Sequence, residues 1–561
     1  MGTDTRSVKG VRIAIEGCGH GTLDAIYASI ESSYKARGWD GVDLVIIGGD
    51  FQSVRDAADL SIMSCPVKYR HLGDFPDYYS GKKKAPFTTV FIAGNHEASS
   101  HLWELYYGGW VAPNIYYLGA ANVIRFGPLR IAALSGIWSG HDYRKPHLER
   151  LPFTYNDVKS FYHVREYDVR KLLQIRTQVD IGLSHDWPRG IERHGNSNAL
   201  FKKKPFFRQE SLDGTLGSVA ADYVLNRLRP PYWFSAHMHV KFAALKKFDN
   251  DSTSTAAPVV APEPQAVAAV EANPDEIDLD MDDDDDDANG NAPDQAPATT
   301  VASTTVPEAT NTESEVSDAL KAQLPASFFQ KQRPKGIPGQ PVPETIFNKE
   351  VRFLALDKCL PGRSFLQLCD VQPHSQQEAK SETTSSKGPQ HSLQYDPEWL
   401  AIVRVFHTGL VIGDPSAKVP EDEGEEHYAS LIDAERKWVE EHIVQKNLLD
   451  VPNNFEITAP PYVEGTPEIV TTMPEEYTNP QTETFCNLLG IKNIWDSLVE
   501  ERQQRRLALE TTPEMFGEQE RSRFGGGRGG GRGGRGGGRG RGGRGGRGGP
   551  GRGRGGFHGR Y

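Results

Sequence analysis

The sequence predicts an α/β fold with helices covering its sheet faces, followed by a second, smaller folded unit. Three observations predict this. Short apolar runs recur through residues 11–242, helix-compatible stretches separate several of them, and apolar runs return near 344 after a long polar gap. Composition agrees: 37% apolar and 9% aromatic residues suit a globular chain that carries some low-complexity sequence.

The runs VRIAIEG, VDLVIIGGD, FTTVFIAGN, LRIAALSG, VDIGLSHD and PYWFSAHMH have the length of buried strands and are separated by Gly, Asn, Asp and Pro. Residues 22–36 and 97–107 are helix-compatible. This alternation predicts sheets with covered faces. Over 248–343 the composition collapses toward Ala, Pro, Thr, Val, Asn and acid, including DLDMDDDDDD at 278–287. So few large apolar groups cannot offset chain entropy, which predicts a disordered acidic insert. In 344–518, VRFLALDKCL, SFLQLCDV and EWLAIVRVFH are expected as strands of the second unit, with 371–393 as a loop. The Arg-Gly-Gly repeat of 519–561 predicts a disordered cationic tail.

The net charge of −12 hides a segregated distribution. Residues 1–250 hold 32 Lys/Arg against 25 Asp/Glu, 251–320 hold 18 acids and no base, and 525–561 hold ten Arg and no acid. A basic front end suits a polyanionic substrate, as a modest indication. No stretch approaches the roughly 18 consecutive apolar residues of a membrane span, and no signal-peptide core opens the chain. The five cysteines, at 18, 65, 359, 369 and 486, are scattered and odd in number, which predicts free thiols in a reducing compartment.

Five of the apolar runs end in residues that bind metals. They supply Cys18 and His20, then Asp50, then Asn95, His96 and Glu97, then His185, and finally His237 and His239. In an extended segment, residues i and i+2 point the same way, so Cys18 is expected to pair with His20 and His237 with His239. Ligands leaving several strand ends converge on one rim of a sheet. The donor types suit two cations: Asp50 as a bridging carboxylate, histidines as nitrogen donors, and the Asn95 carboxamide oxygen completing a shell. Two such ions about 3.5–4 Å apart clamp a phosphate through an in-line displacement. Any one motif alone is more often turn chemistry or core packing, and Cys18 alone is most often a small buried hydrophobe. Their joint occurrence, in order, carries the reading.

The series GCGH, GGDFQ, GNHE, SHDWP and AHMH resembles the metallophosphoesterase superfamily over about residues 8–247. Cysteine at position 18, where most members have aspartate, narrows the resemblance to the RNA lariat debranching enzymes, and residues 344–518 are similar to that family's C-terminal domain. The resemblance implies a β-sandwich flanked by helices. It implies one metal position lined by Cys18, His20, Asp50 and His239, and another lined by Asp50, Asn95, His185 and His237. One or two divalent transition-metal ions would be held there, Fe²⁺, Zn²⁺ or Mn²⁺. His96 matches the family's catalytic histidine.

The implied reaction is hydrolysis of the 2′–5′ phosphodiester at the branch point of excised intron lariat RNA by metal-activated hydroxide, with His96 protonating the leaving 2′-oxygen. A lariat-recognition loop is implied at 135–165, with Trp138, Ser139, Gly140, His141, Tyr143 and Arg144 as its candidate RNA contacts. Independently, that segment is rich in aromatic and basic residues, which suits base stacking and phosphate contacts. The expected setting is the nucleus, with branched RNA as partner, no membrane, and splicing-related or RNA-binding proteins as further partners of the tail. Another metallophosphoesterase, such as a protein phosphatase or nuclease, and a non-catalytic RNA-binding scaffold on the same fold remain the alternatives.

Overall fold

A computed structural model describes residues 10–248, 337–374 and 391–510. The acidic run at 278–287, nearly all of the 248–343 insert, most of the 371–393 loop and the 519–561 tail lie outside the described residues. Within these, thirteen strands follow in chain order: β1 (Val11–Glu16), β2 (Leu44–Ile47), β3 (Thr89–Phe91), β4 (Gly109–Ala112), β5 (Ile115–Tyr117), β6 (Ala121–Phe126), β7 (Leu129–Leu134), β8 (Ile181–Ser184), β9 (Tyr232–Ser235), β10 (Phe242–Lys247), β11 (Glu350–Ala355), β12 (Leu366–Val371) and β13 (Leu393–Tyr395). They build two mixed sheets, ordered β12-β1-β2-β3-β5-β4 and β10-β11-β9-β8-β7-β6-β13. β1, β2, β3 and β5 run parallel in the first sheet, and β7, β8, β9 and β11 in the second.

The strand period of two sets the layers. Ile13, Ile15, Leu44, Ile46 and Val90 of the first sheet share one buried cluster with Ile131, Ala133, Ile181, Leu183 and Phe234 of the second. The alternate residues Ala14, Val45, Ile47 and Phe91 face outward, onto Leu23, Ile26, Tyr27 and Ile30 of the helix Leu23–Ala36. Behind the second sheet, Ala132, Leu134 and Trp233 pack with apolar residues of the helices Glu166–Leu173 and Val219–Leu228. Strands buried on both faces read as continuous apolar runs, which is how these appear in the sequence. The expected α/β sandwich flanked by helices is present.

Two expectations change. The stretch EWLAIVRVFH is a helix, Pro397–His407, and not a strand. Asp396 caps it by accepting from the Trp399 N–H at 3.2 Å, and Pro397 occupies the first turn. Trp399 through Val403 and Phe406 are all buried, so no polar face marked a helical period. The predicted 97–107 helix shortens to Ser99–Trp103.

The 344–518 region also lends its three strands to both sheets: β11 between β9 and β10, β12 beside β1, and β13 beside β6. A buried ion-pair cluster ties this region to β7. The Arg130 guanidinium donates to Asp396 at 2.8 Å and to Glu398 at 3.1 Å.

Candidate metal centre

Because β1, β2, β3, β8 and β9 all run parallel within their sheets, their C-terminal ends gather at one end of the sandwich. Every candidate ligand follows one of them: Cys18 and His20 follow β1, Asp50 follows β2, Asn95 and His96 follow β3, His185 follows β8, and His237 and His239 follow β9. Three of these turns belong to one sheet and two to the other.

The first two turns lie side by side. The Gly19 N–H donates to the Gly49 carbonyl at 3.2 Å, and the His20 N–H to the Asp50 carbonyl at 2.6 Å. Donor atoms of Cys18, His20, Asp50 and His239 all lie within 4.8 Å of one another. His20 Nε2 is 3.4 Å from His239 Nε2 and 3.7 Å from Asp50 Oδ2. On the other side of the same carboxylate, Asp50 Oδ1 is 3.4 Å from His185 Nε2. Asp50 thus stands between two sets of nitrogen donors.

The expected pairing of His237 with His239 on one side does not hold. His239 joins Cys18 and His20, whereas the His237 ring stands 5.0 Å from that of His185. The alternation argument assumed extended backbone, but φ is +61° at His237 and +45° at His239. Cys18 and His20 do come together, yet His20 is also left-handed at +42°, as is Asp50 at +47°. Such conformations cost a non-glycine residue about 1–3 kcal/mol each and persist where surrounding structure imposes them.

Two glycines make room for the donors. A Cβ at Gly94 would lie 2.1 Å from Asp50 Oδ1 and 2.6 Å from His185 Nε2, and one at Gly49 would lie 2.1 Å from His185 Nδ1. Hydrogen bonds aim the rings. His185 Nδ1–H donates to the Gly48 carbonyl at 2.8 Å, which turns Nε2 toward Asp50. The Gln52 carboxamide lies 3.3 Å from His20 Nδ1, leaving Nε2 for the cluster.

Glu97, singled out in the sequence as a metal-binding type, instead clamps the turns. It accepts from the Phe51, Gln52 and Gly94 N–H groups, each at 2.9 Å. Burial and the neighbouring Asp50 push its carboxyl up to about 7. Gln52 and this clamping role went unread in the sequence, although both lie in the quoted motifs GGDFQ and GNHE. His96 is buried, donates its N–H to Asp50 Oδ1 at 2.9 Å, and its ring centroid is 5.6 Å from that of His20.

The chain matches the calcineurin-like phosphoesterase family over residues 11–241 and the lariat debranching enzyme C-terminal domain over 348–494. It is 38% identical over 498 residues to the lariat debranching enzyme of Schizosaccharomyces pombe, covering 86% of this chain and 96% of that one. The Arabidopsis thaliana lariat debranching enzyme is 36% identical over 487 residues, covering 87% and 88%, and that of Danio rerio 37% over 488 residues, covering 86% and 67%. The chain belongs to the lariat debranching enzyme family.

The donor set of this lariat debranching enzyme relative fits divalent cations. Asn95 Oδ1 is buried with no hydrogen-bond partner among the described residues, and the buried His185 Nε2 approaches Asp50 Oδ1 at 3.4 Å, so both polar atoms stand at the rim where Asp50 sits. Burial lowers the pKa of His239 well below the usual imidazole value, which keeps the ring neutral as a ligand must be. For Asp50, burial works against ionisation, but His185, His96 and His20 outweigh it and hold the carboxyl well below its ordinary range. Burial, Asp50 and Glu16 push the Cys18 thiol up, so a cation binding there must displace its proton. The His237 N–H already donates to Cys18 Sγ at 3.2 Å.

The 135–165 segment begins beside the centre. The Gly136 N–H donates to the Ala93 carbonyl at 2.8 Å, and the Trp138 N–H to Asp186 Oδ2 at 3.3 Å, next to His185. Trp138 and Tyr143 rings are 4.8 Å apart, with the Arg189 guanidinium 5.7 Å over Trp138. Gly140, His141 and Arg144 are exposed, whereas Ser139 is buried and its carbonyl accepts the Asp142 and Tyr143 N–H groups of a turn. A helix also forms inside the segment, Tyr155–Ser160, with Thr154 and Asp157 making a capping box.

Proposed function

We propose that this protein hydrolyses the 2′–5′ phosphodiester at the branch point of excised intron lariat RNA and releases linear RNA for turnover. Family membership carries the activity, and the protein is a metal-dependent phosphodiesterase that debranches lariat RNA. The observation that carries the chemistry is the convergence of the Cys18, His20, Asp50 and His239 donor atoms within 4.8 Å, with cysteine where an aspartate is usual.

In this reading Cys18, His20, Asp50 and His239 hold one divalent ion and Asp50, Asn95, His185 and His237 a second. The thiolate favours Fe²⁺, Zn²⁺ or Mn²⁺ over harder ions. When bound, these ions supply a water-derived nucleophile and neutralise phosphate charge. The chain's own contribution is positioning and proton transfer. Asp50 fixes the His96 backbone through the 2.9 Å contact, so the imidazole is held at the centre. His96 Nδ1 or Nε2 donates a proton to the departing ribose 2′-oxygen, a strong base that leaves poorly unprotonated. Trp138, Tyr143, His141 and Arg144 hold the branch by stacking and phosphate contacts, while Ser139 and Gly140 shape the turn.

The division of labour follows: 8–247 for chemistry, 344–518 for completing both sheets, the 248–343 insert as a linker, and the 519–561 tail for sequence-independent RNA or protein contacts in the nucleus. Among the described residues no helix is long and apolar enough to cross a membrane. The test is a substrate panel: synthetic 2′–5′ branched RNA, a phosphopeptide and linear DNA, each with and without a chelator. Branched RNA alone should be cleaved, and only without chelator. Comparable turnover of phosphopeptide or linear DNA would overturn the assignment.

A further inference from the structure

We propose that a groove on the Cys18 side of the centre binds the phosphodiester backbone of one RNA arm, the arm that leaves the branch point away from the 135–165 loop. The inference rests on the debranching reading and adds a second RNA contact surface to it. The groove, about 370 Å³, is lined by Ser29, Ser32 and Ser33 of the helix Leu23–Ala36 together with Lys241, Arg363 and Ser364. Four hydroxyls, two cations and the apolar Phe365 and Leu366 line it, with no carboxylate among the lining residues. That is the chemistry of a phosphate cradle. Charged donors neutralise the anion, hydroxyls complete its hydrogen bonds, and no base edge is read.

Its position follows from the two sheet orders. The 135–165 loop departs from β7 and meets the turn after β3. The groove lies at the other side of both sheets: Lys241 immediately precedes β10, and Arg363 lies between β11 and β12, which borders β1. The centre sits between these two surfaces. Covalent and hydrogen-bonded continuity ties the groove to the ligands. Lys241 is two residues from His239, the Gly17 N–H donates to the Phe365 carbonyl at 3.1 Å, and the Cys359 N–H to the Cys18 carbonyl at 3.2 Å.

Two contacts brace the cationic side chains. Lys241 Nζ donates to Gln367 Oε1 at 3.1 Å, and the Arg363 guanidinium lies 3.4 Å from Asp357. A branched RNA has more than one strand leaving the scissile phosphate, so a single loop on one flank leaves an arm to cross the other. A backbone-only cradle serves that arm whatever its sequence.

The test compares a minimal branched RNA with one carrying arms of about ten nucleotides, the order of a single-strand binding site, using the full-length, metal-loaded protein. The double variant K241Q/R363Q should raise the ratio of KM on extended RNA to KM on minimal RNA about tenfold. Its salt dependence for extended RNA should be shallower by roughly 1.4 in log–log slope, the value for two lost phosphate contacts on a single strand. Ser32→Glu, on the exposed surface of a helix, should shift the ratio in the same direction by adding a like charge. An unchanged ratio in both variants overturns the groove, as does an effect of inorganic phosphate that does not depend on arm length. Failure of the wild-type protein to cleave the minimal branched RNA overturns the debranching reading instead. Single-stranded RNA binding by wild type and variants then decides the groove separately.

Discussion

The His96 backbone N–H donates to Asp50 Oδ1 at 2.9 Å, and the same oxygen lies 3.4 Å from His185 Nε2. One carboxylate therefore both faces the proposed metal ligands and sets where the proposed acid begins. His96→Ala leaves that backbone contact in place. The variant should retain bound metal and RNA affinity while losing turnover by about 10²–10⁴-fold, the usual contribution of general acid catalysis. A substrate with a good leaving group, such as a nitrophenyl phosphodiester, should recover much of the loss. Equal losses on both substrates would assign His96 to phosphate positioning or metal support.

Cys18→Asp replaces a soft donor with a hard one at a position ringed by His20, Asp50 and His239. Metal preference should move toward Mg²⁺ and away from Zn²⁺, with the circular dichroism spectrum unchanged. An unaltered metal profile would remove Cys18 from the ligand set.

Gly94→Ala should weaken metal binding although no candidate ligand is replaced. Its Cβ would press into Asp50 Oδ1 and His185 Nε2, at 2.1 and 2.6 Å, and either donor must move. A loss of about 10–100-fold in metal affinity is expected, the range seen when the groups supporting a ligand are disturbed. Titration with Mn²⁺ or Zn²⁺ of the metal-free protein measures it. Wild-type affinity would show that the turn can relax.

Much of this centre was legible in the sequence because its donors sit at ends of apolar runs, and those runs became β1, β2, β3, β7, β8 and β9. What the runs did not carry was sheet membership. The pairing of Val11 with Val371 or of Arg352 with Tyr232 joins residues far apart in the chain, and no local pattern encodes it. The opposed directions of His237 and His239 escaped for a different reason. Period-two reasoning holds only in extended backbone, and both residues are left-handed. The helix Pro397–His407 was hidden by the burial of most of its side chains, Glu398 through Val403 in one unbroken run, though its Asp396-Pro397 cap was in plain view.

Asp396 makes the joint between β7 and the C-terminal region sensitive to acid. Burial would raise its carboxyl pKa, but Arg130 and Arg125 outweigh that and hold it far below the ordinary value. A depressed folded-state pKa contributes stability above the unfolded-state value of about 3.9, and that contribution is lost as pH falls further. Asp396→Asn should cost about 3–5 kcal/mol at neutral pH, because it leaves a buried Arg130 short of its partner. The variant should also lose less stability than wild type between about pH 5 and 3. Urea unfolding across that range gives both quantities, and parallel pH profiles would contradict the assignment.

The central claim is that the Cys18–His20–Asp50–His239 cluster and its His185 neighbour form a centre that opens 2′–5′ bonds. The most direct measurement is product analysis on a synthetic branched RNA, using protein whose bound metal has been quantified. The account predicts linear RNA with a free 2′-hydroxyl at the former branch, a 5′-phosphate on the released strand and intact 3′–5′ linkages. A metal-loaded protein that leaves the branch intact, or cuts the 3′–5′ backbone instead, would contradict it.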